Sequence, residues 1–428
     1  MGHLVGKSVY QRLQARLDLM PVGAPAQRAL VDILKLLFTD DEAFIASRMP
    51  VRFATITTIQ KRTGKSIQYL EKRLNQMASK GLVIDLQFED RPTCYVLLPT
   101  VIGFFEFTMM RMRNDFDQKL LARLYDEYLL RDPQNQFLKQ AFQQETQLIR
   151  TLVHEDVLPP EVFTEVLDYE KATWIIKNTP KQAVSLCHCR HVKYHLDQAC
   201  EHPLRNCLTL GNCTDYLVRR GLAEPIETSE ALDILAQARD LNMVQLADNV
   251  QHNVGFICNC CKCSCTILET LRRIGLNGKL TYTSNYLAVI NPEKCNGCGR
   301  CAVVCSIECI AIKARADASN EKQAQVDESR CLGCGICVSN CSHAAIQMQL
   351  RPQRVFTPEG SLERILMMAV ERNKLKNLLF DDLESFPINL INRLMGWILK
   401  QKSVQQFLLS ENIRSKWIEF AVKYANRG

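Results

Sequence analysis

The sequence predicts an α+β protein built from several domains, and three observations point there. Its 428 residues are two to three times the length of a typical domain. Its apolar pattern alternates between helical and strand-like periods along the chain. Its twenty cysteines are distributed very unevenly, with only Cys94 before Cys187 and none after Cys341. A hydrophobic fraction of 47% and a charged fraction of 23% match an ordinary globular chain and exclude extended disorder. The opening MGHLVGKSVYQRLQARLDLM lacks an apolar core of signal-peptide length, and no stretch approaches the roughly 18 to 20 apolar residues of a membrane span. The expected location is therefore the cytoplasm. Thiols stay reduced in that compartment, so most of the cysteines are expected to be metal ligands or core residues rather than disulfides. The net charge of +7 is modest, and metal-bound thiolates would reduce it further.

Residues 1–100 are expected to form the first domain. Leu30, Ile33, Leu34 and Leu37 mark one helix face in PAQRALVDILKLLF. The following stretch reads as a helix, a Thr-Gly turn, a second helix and a strand pair with a polar turn at Glu89 to Arg91. In the second helix Ile67, Leu70, Leu74 and Met77 share a face, and Gly81 supplies the stop. This order resembles a winged-helix domain over residues 25–98, which implies a helix able to enter a major groove or to dock on a protein. Residues 51–98 hold eight lysines and arginines (Arg52, Lys61, Arg62, Lys65, Lys72, Arg73, Lys80, Arg91) against four acids, a local charge of +4. A dedicated DNA reader usually has a denser basic face, so protein docking is the preferred reading, with DNA as the alternative. Residues 101–180 are expected to be a helical connector, with apolar positions at Leu120, Leu121, Leu124, Leu129 and Leu130 and a break at Pro159-Pro160.

Residues 181–285 are the cysteine-rich middle. Cys187, Cys189, Cys200, Cys207, Cys213, Cys258, Cys260, Cys261, Cys263 and Cys265 fall within 79 residues, five of them in CNCCKCSC. Five thiols in eight residues cannot all face one apolar core, so metal binding is expected. The pool suffices for one or two further [4Fe-4S] clusters, with Arg190 placed to donate to cluster sulfur. His188, His191, His195, His202 and His252 keep a zinc site open, because mixed Cys and His sets are common zinc ligands.

Residues 286–352 contain the sharpest signal. Cys295, Cys298, Cys301 and Cys305 follow C-x2-C-x2-C-x3-C, and Cys331, Cys334, Cys337 and Cys341 repeat it 36 residues later. A cubane cluster needs thiolates converging from several directions, and Gly297, Gly299, Gly333 and Gly335 let each loop wrap it. The pattern is similar to bacterial-type ferredoxins with two [4Fe-4S] clusters. That resemblance implies crossed ligation: Cys295, Cys298 and Cys301 with Cys341, and Cys331, Cys334 and Cys337 with Cys305. Strands are expected before and after each loop. Serine (Ser306, Ser342) stands where the family usually has proline, which offers a hydroxyl donor toward sulfur. Cys309 stands where the family usually has alanine and reads as a small buried residue.

Residues 353–428 return to helix, with Ile388, Ile391, Met395 and Ile398 at helical spacing and Trp417, Phe420 and Val422 in a basic last segment. Packing on the protein's own core is expected, with peripheral membrane contact as the weaker alternative. The C-x-C-R and HPLRNC segments together with ICNCCKCSC resemble a group of bacterial and archaeal multi-domain iron-sulfur proteins that join a winged-helix-like N-terminus to a dicluster ferredoxin module. The resemblance implies a role in anaerobic electron transfer. No Gly-rich dinucleotide fingerprint or nucleophile motif is seen. The expected function is thus a non-catalytic electron-transfer subunit of an oxidoreductase system, passing single electrons to a redox partner protein. A redox-sensing transcription regulator is the alternative.

Overall fold

The computed structural model describes residues 7–142, 146–158, 167–274, 283–315, 322–379 and 381. The chain divides into two compact units, one formed by residues 1–146 and 361–428 and the other by residues 147–360.

In the first unit, helices α1 (Val9–Asp18), α2 (Arg28–Leu37) and α3 (Asp40–Ala46) precede α4 (Ile56–Thr63) and α5 (Ile67–Lys80). Leu30, Ile33, Leu34 and Leu37 of α2 are all buried, as the periodicity expects. Thr39 and Glu42 form a reciprocal capping box that starts α3. Gly64 and Gly81 end α4 and α5 in the left-handed region, at φ +69° and +79°. At Gly81 a side chain would also meet Phe107 Cβ at 2.8 Å, so the stop is steric as well as conformational. Strands β1 (Ala54–Thr55), β2 (Val83–Leu86) and β3 (Cys94–Leu97) form an antiparallel sheet in the order β1-β3-β2. The helices Gln118–Leu130 and Gln136–Phe142 follow, and Phe105 packs between Tyr125, Tyr128 and Phe137. Asp381 is a buried acceptor for Arg16 Nη2 at 2.6 Å, Arg62 Nη1 at 3.2 Å and the Val51 amide at 2.9 Å. Beyond residue 360 the described helices are Ser361–Glu371 and Leu375–Leu379. The apolar positions from Ile388 to Val422, like the Pro159-Pro160 break, lie outside the described residues.

The second unit begins with a departure from expectation. Ile149–Leu152, inside the stretch read as helical connector, is strand β4. Its four residues are all buried, including Arg150, so it lacks the alternation that marks a half-exposed strand. It pairs with β8 (Val244–Asp248) at the edge of a six-stranded antiparallel sheet. The other members are β5 (Gln182–Leu186), β6 (Arg205–Leu210), β7 (Glu224–Ile226) and β9 (Phe256–Cys260), in the order β4-β8-β9-β6-β5-β7. Leu152, Val184, Leu208, Leu210, Ala247 and Ile257 face one side and pack on the helices Ala172–Lys177 and Thr228–Asp240. Each such Leu or Ile contributes on the order of 1.5–3 kcal/mol. Because strand side chains alternate, Cys207, Cys258 and Cys260 are sent to the opposite face.

Four further strands complete this unit: β10 (Tyr286–Ile290), β11 (Ile310–Ala314), β12 (Lys322–Val326) and β13 (Ile346–Leu350). β10 pairs with β13 and β11 with β12, both antiparallel. The strands expected on either side of the two cysteine loops are these four. Among the described residues no helix is long and apolar enough to cross a membrane.

Candidate metal centres

The two C-x2-C-x2-C-x3-C loops surround two cavities. One is lined by Cys295, Cys298, Cys301 and Cys341, with Asn296 and His343 at its rim joined by a 2.9 Å hydrogen bond. The other is lined by Cys305, Cys331, Cys334 and Cys337, and also by Cys309 and by Val244 of β8. The 36-residue repeat extends well past the cysteines. The amides of Cys309 and Ala345 donate to the sulfurs of Cys305 and Cys341 at 3.4 and 3.3 Å. The Ala324 amide donates to Cys295 at 3.4 Å, and its counterpart Ala288 does the same for Cys331. Arg315 and Arg351, each 20 residues after the first cysteine of its loop, donate Nη2 to the carbonyls of Cys295 and Cys331 at 2.9 and 2.6 Å.

The glycines obey the same repeat. Gly297 and Gly333 both have φ of +71°, and a side chain there would run into the carbonyl oxygens of Lys322 at 2.4 Å and Tyr286 at 2.1 Å. Gly299 and Gly335, also left-handed, start the short helices that carry Cys301 and Cys337. Ser306 is buried in the lining of the second cavity, with its carbonyl accepting from Arg272 at 2.7 Å, and Ser342 is exposed. Backbone amides reach the loop sulfurs directly. Cys309 is buried, with its sulfur 3.5 Å from that of Cys305. Hydrogen bonding from Cys309 pulls the thiols of Cys305 and Cys331 down, to about 6 and about 7, while Cys309 itself is pushed up and keeps its proton.

The ten central cysteines separate into two sets and one outlier. The first set is a ring of six. Cys207 and Cys258 sit opposite each other on β6 and β9 with sulfurs 4.0 Å apart. Cys260 donates to both Cys258 and Cys265, Cys189 donates to Cys265 and Cys187 donates to Cys189, and Cys187 is within electrostatic reach of Cys207. The shared protons leave Cys258 and Cys265 low, the latter at about 5, because Cys207, Cys260 and Cys189 donate to them. The second set is Cys200, His202, Cys261 and Cys263, whose ligand atoms all lie within 4.8 Å of one another. Cys213 is exposed on the helix Asn212–Arg219, with its sulfur close to Gly255, and joins neither set.

Arg190 lies between the two sets. Its guanidinium donates to the Cys261 sulfur at 3.4 Å, to the Asn259 and Pro203 carbonyls at 2.8 Å each and to Asn206 Oδ1 at 2.5 Å. Burial works against its charge, yet Cys187, Cys261 and Cys260 raise its pKa above the ordinary value. Of the candidate histidines, His202 alone belongs to the compact set. His191 is fully buried and bonds His195 at 3.0 Å on the helix His188–His195, and His188 acts electrostatically on Cys258.

The family model of the 4Fe-4S dicluster domain matches residues 294–345. The chain is an iron-sulfur protein. No curated protein and no solved structure matches it. The match covers the two repeated loops of this iron-sulfur protein and none of the ten central cysteines. Arg315 and Arg351 were not expected from the cysteine motif. The signal was present in the repeat itself, which places an arginine 20 residues after Cys295 and again after Cys331.

Proposed function

We propose that this iron-sulfur protein is an electron-transfer subunit that relays single electrons through two ferredoxin-type [4Fe-4S] clusters and a third in the six-cysteine ring to a partner redox enzyme. The observation that carries the reading is the grouping of sulfurs: two cavities with four loop cysteines each, and a ring of six beside them in the same unit. We assign Cys295, Cys298, Cys301 and Cys341 to one cluster and Cys305, Cys331, Cys334 and Cys337 to the other. Four of Cys187, Cys189, Cys207, Cys258, Cys260 and Cys265 hold the third. The donor sets fit. Among the described residues the compact single-ion set is Cys200, His202, Cys261 and Cys263, and none of these three groups includes any of its members. Thiolates around a cube stand farther apart than those around a single ion.

When bound, such clusters accept and release one electron with little reorganisation, at potentials anywhere between about −700 and +450 mV. The protein's part is to hold and bias them. Arg315 and Arg351 fix the loop entries, backbone amides donate to sulfur, and Arg190 places a buried positive charge among the central thiolates. The exposed Cys298, beside the Asn296–His343 pair, puts the first cavity at the surface as an exit point, whereas the second is packed against His154, whose amide donates to the Cys334 carbonyl at 3.0 Å.

The N-terminal region is proposed as a winged-helix-like module that docks on protein. Its charges support docking over DNA reading, because Arg73 of α5 is engaged by Asp41 at 3.2 Å and Lys80 by the buried Glu42 at 2.7 Å. The test of the relay is a stepwise reductive titration of the anaerobically purified chain followed by electron paramagnetic resonance. Several centres are expected to reduce at separate potentials. A preparation whose iron takes up no electrons would overturn the proposal.

A further inference from the structure

We propose that Cys200, His202, Cys261 and Cys263 form a closed tetrahedral site for one zinc ion, separate from the iron-sulfur clusters. A zinc ion bound through sulfur at about 2.3 Å and nitrogen at about 2.0–2.1 Å sets neighbouring tetrahedral sulfurs about 3.8 Å apart. The sulfurs of Cys200 and Cys261 are 3.8 Å apart, the Cys263 sulfur is 3.8 Å from His202 Nδ1, and all four donor atoms lie within 4.8 Å of one another. A cubane cannot fit among donors this close, because its own iron and sulfide atoms must stand between the thiolates.

The surroundings match a mononuclear site. Three thiolates and a neutral imidazole around a divalent cation carry one net negative charge, and the buried Arg190 supplies one positive charge through its 3.4 Å bond to Cys261. Ser264 Oγ donates to Cys200 at 3.2 Å. Donors of this kind orient thiolate ligands and lower their effective charge. The backbone explains why the set is distinct. Cys260 is the last residue of β9 and joins the ring, while Cys261 follows on the turn and joins the tetrad, so adjacent cysteines serve different centres.

A closed four-ligand site is structural. Here it ties the segment before β6 to the loop after β9, two stretches 61 residues apart, which closes a long loop of the unfolded chain. The same loop reaches the cluster-bearing module: Lys262, between two of the ligands, bonds the Val303 carbonyl at 3.5 Å and pairs with Glu308 at 3.2 Å. The ion therefore fixes the loop that packs beside Cys305.

The experiment is metal analysis and X-ray absorption on the full chain, purified anaerobically from medium containing both metals. One zinc per chain is expected, bound by three sulfurs and one nitrogen, alongside the cluster iron. His202→Ala is expected to lower zinc at least about tenfold with iron unchanged. His202→Cys is expected to keep the zinc and change its shell to four sulfurs, which separates ligation from general damage to the fold. Cobalt grown into the site should give tetrahedral d–d bands that move in the cysteine variant. Zinc absent from a chain with full iron, iron lost along with zinc in His202→Ala, or an unchanged zinc shell in His202→Cys would each overturn the site. Because iron and zinc are counted separately, failure of this site leaves the relay standing, and loss of the relay clusters leaves the zinc measurable.

Discussion

Cys309 and Ala345 occupy equivalent places in the two halves of the repeat, and only Cys309 carries a thiol. Their amides do the same work on Cys305 and Cys341, so the extra sulfur is one difference between the two cavities. A protonated Cys309 beside Cys305 and Cys331 is a donor that favours the more negative, reduced state of a cluster. Cys309→Ala is therefore expected to keep the iron and lower the potential of one centre by on the order of tens of millivolts, read by redox titration. An unchanged pair of potentials would remove this role. Glycine gives a second test. Gly333→Ala forces a side chain toward the Tyr286 carbonyl at a left-handed φ and is expected to lose one cluster, whereas Gly360→Ala meets nothing within 4 Å and is expected to be neutral in both iron content and melting temperature. Arg190→Met removes the charge that faces the central thiolates and strands the oxygens of Asn206, Asn259 and Pro203, an expected loss of about 3–5 kcal/mol in denaturant unfolding. At this scale the eight loop cysteines and their glycines were legible because a short motif fixes them. The division of the middle cysteines into a ring of six, a set of three with His202, and Cys213 apart was not, because it depends on which side of β9 each sulfur leaves and on contacts 61 residues apart.

Among the elements, the helices of the first unit were legible because their apolar faces repeat at helical spacing and their ends carry capping residues. Thr39→Ala is expected to cost about 1 kcal/mol, since it opens the capping box of α3. Lys80→Ala is expected to cost more, because it strands the buried Glu42 carboxylate; equal melting temperatures for the two variants would contradict this ranking. The six-stranded sheet was not legible. β4 is buried throughout, and β5 and β8 are buried along most or all of their length, so none of them alternates. β6 alternates Leu208 and Leu210 with Cys207 and Thr209, and in β9 Ile257 lies between Phe256 and Cys258, but their cysteines drew attention as ligands rather than as the other face of a strand. That alternation is what connects fold to site: the face turned away from the apolar helices is the face that gathers Cys207, Cys258 and Cys260.

For the whole molecule, the account rests on one unit that carries every gathered cysteine and another that carries none of them. This separation fits a protein in which one unit moves electrons and the other selects a partner. If α5 docks on protein, a gel shift with duplex DNA at low salt is expected to show no complex in either redox state; a salt-sensitive complex would favour the regulator instead. The most direct measurement is a native mass spectrum of the anaerobically purified chain, which weighs the bound metal complement in one step. The account predicts the mass of the polypeptide plus three [4Fe-4S] clusters, with zinc as a separate increment. A chain carrying only zinc ions, or no iron-sulfur increment at all, would contradict it.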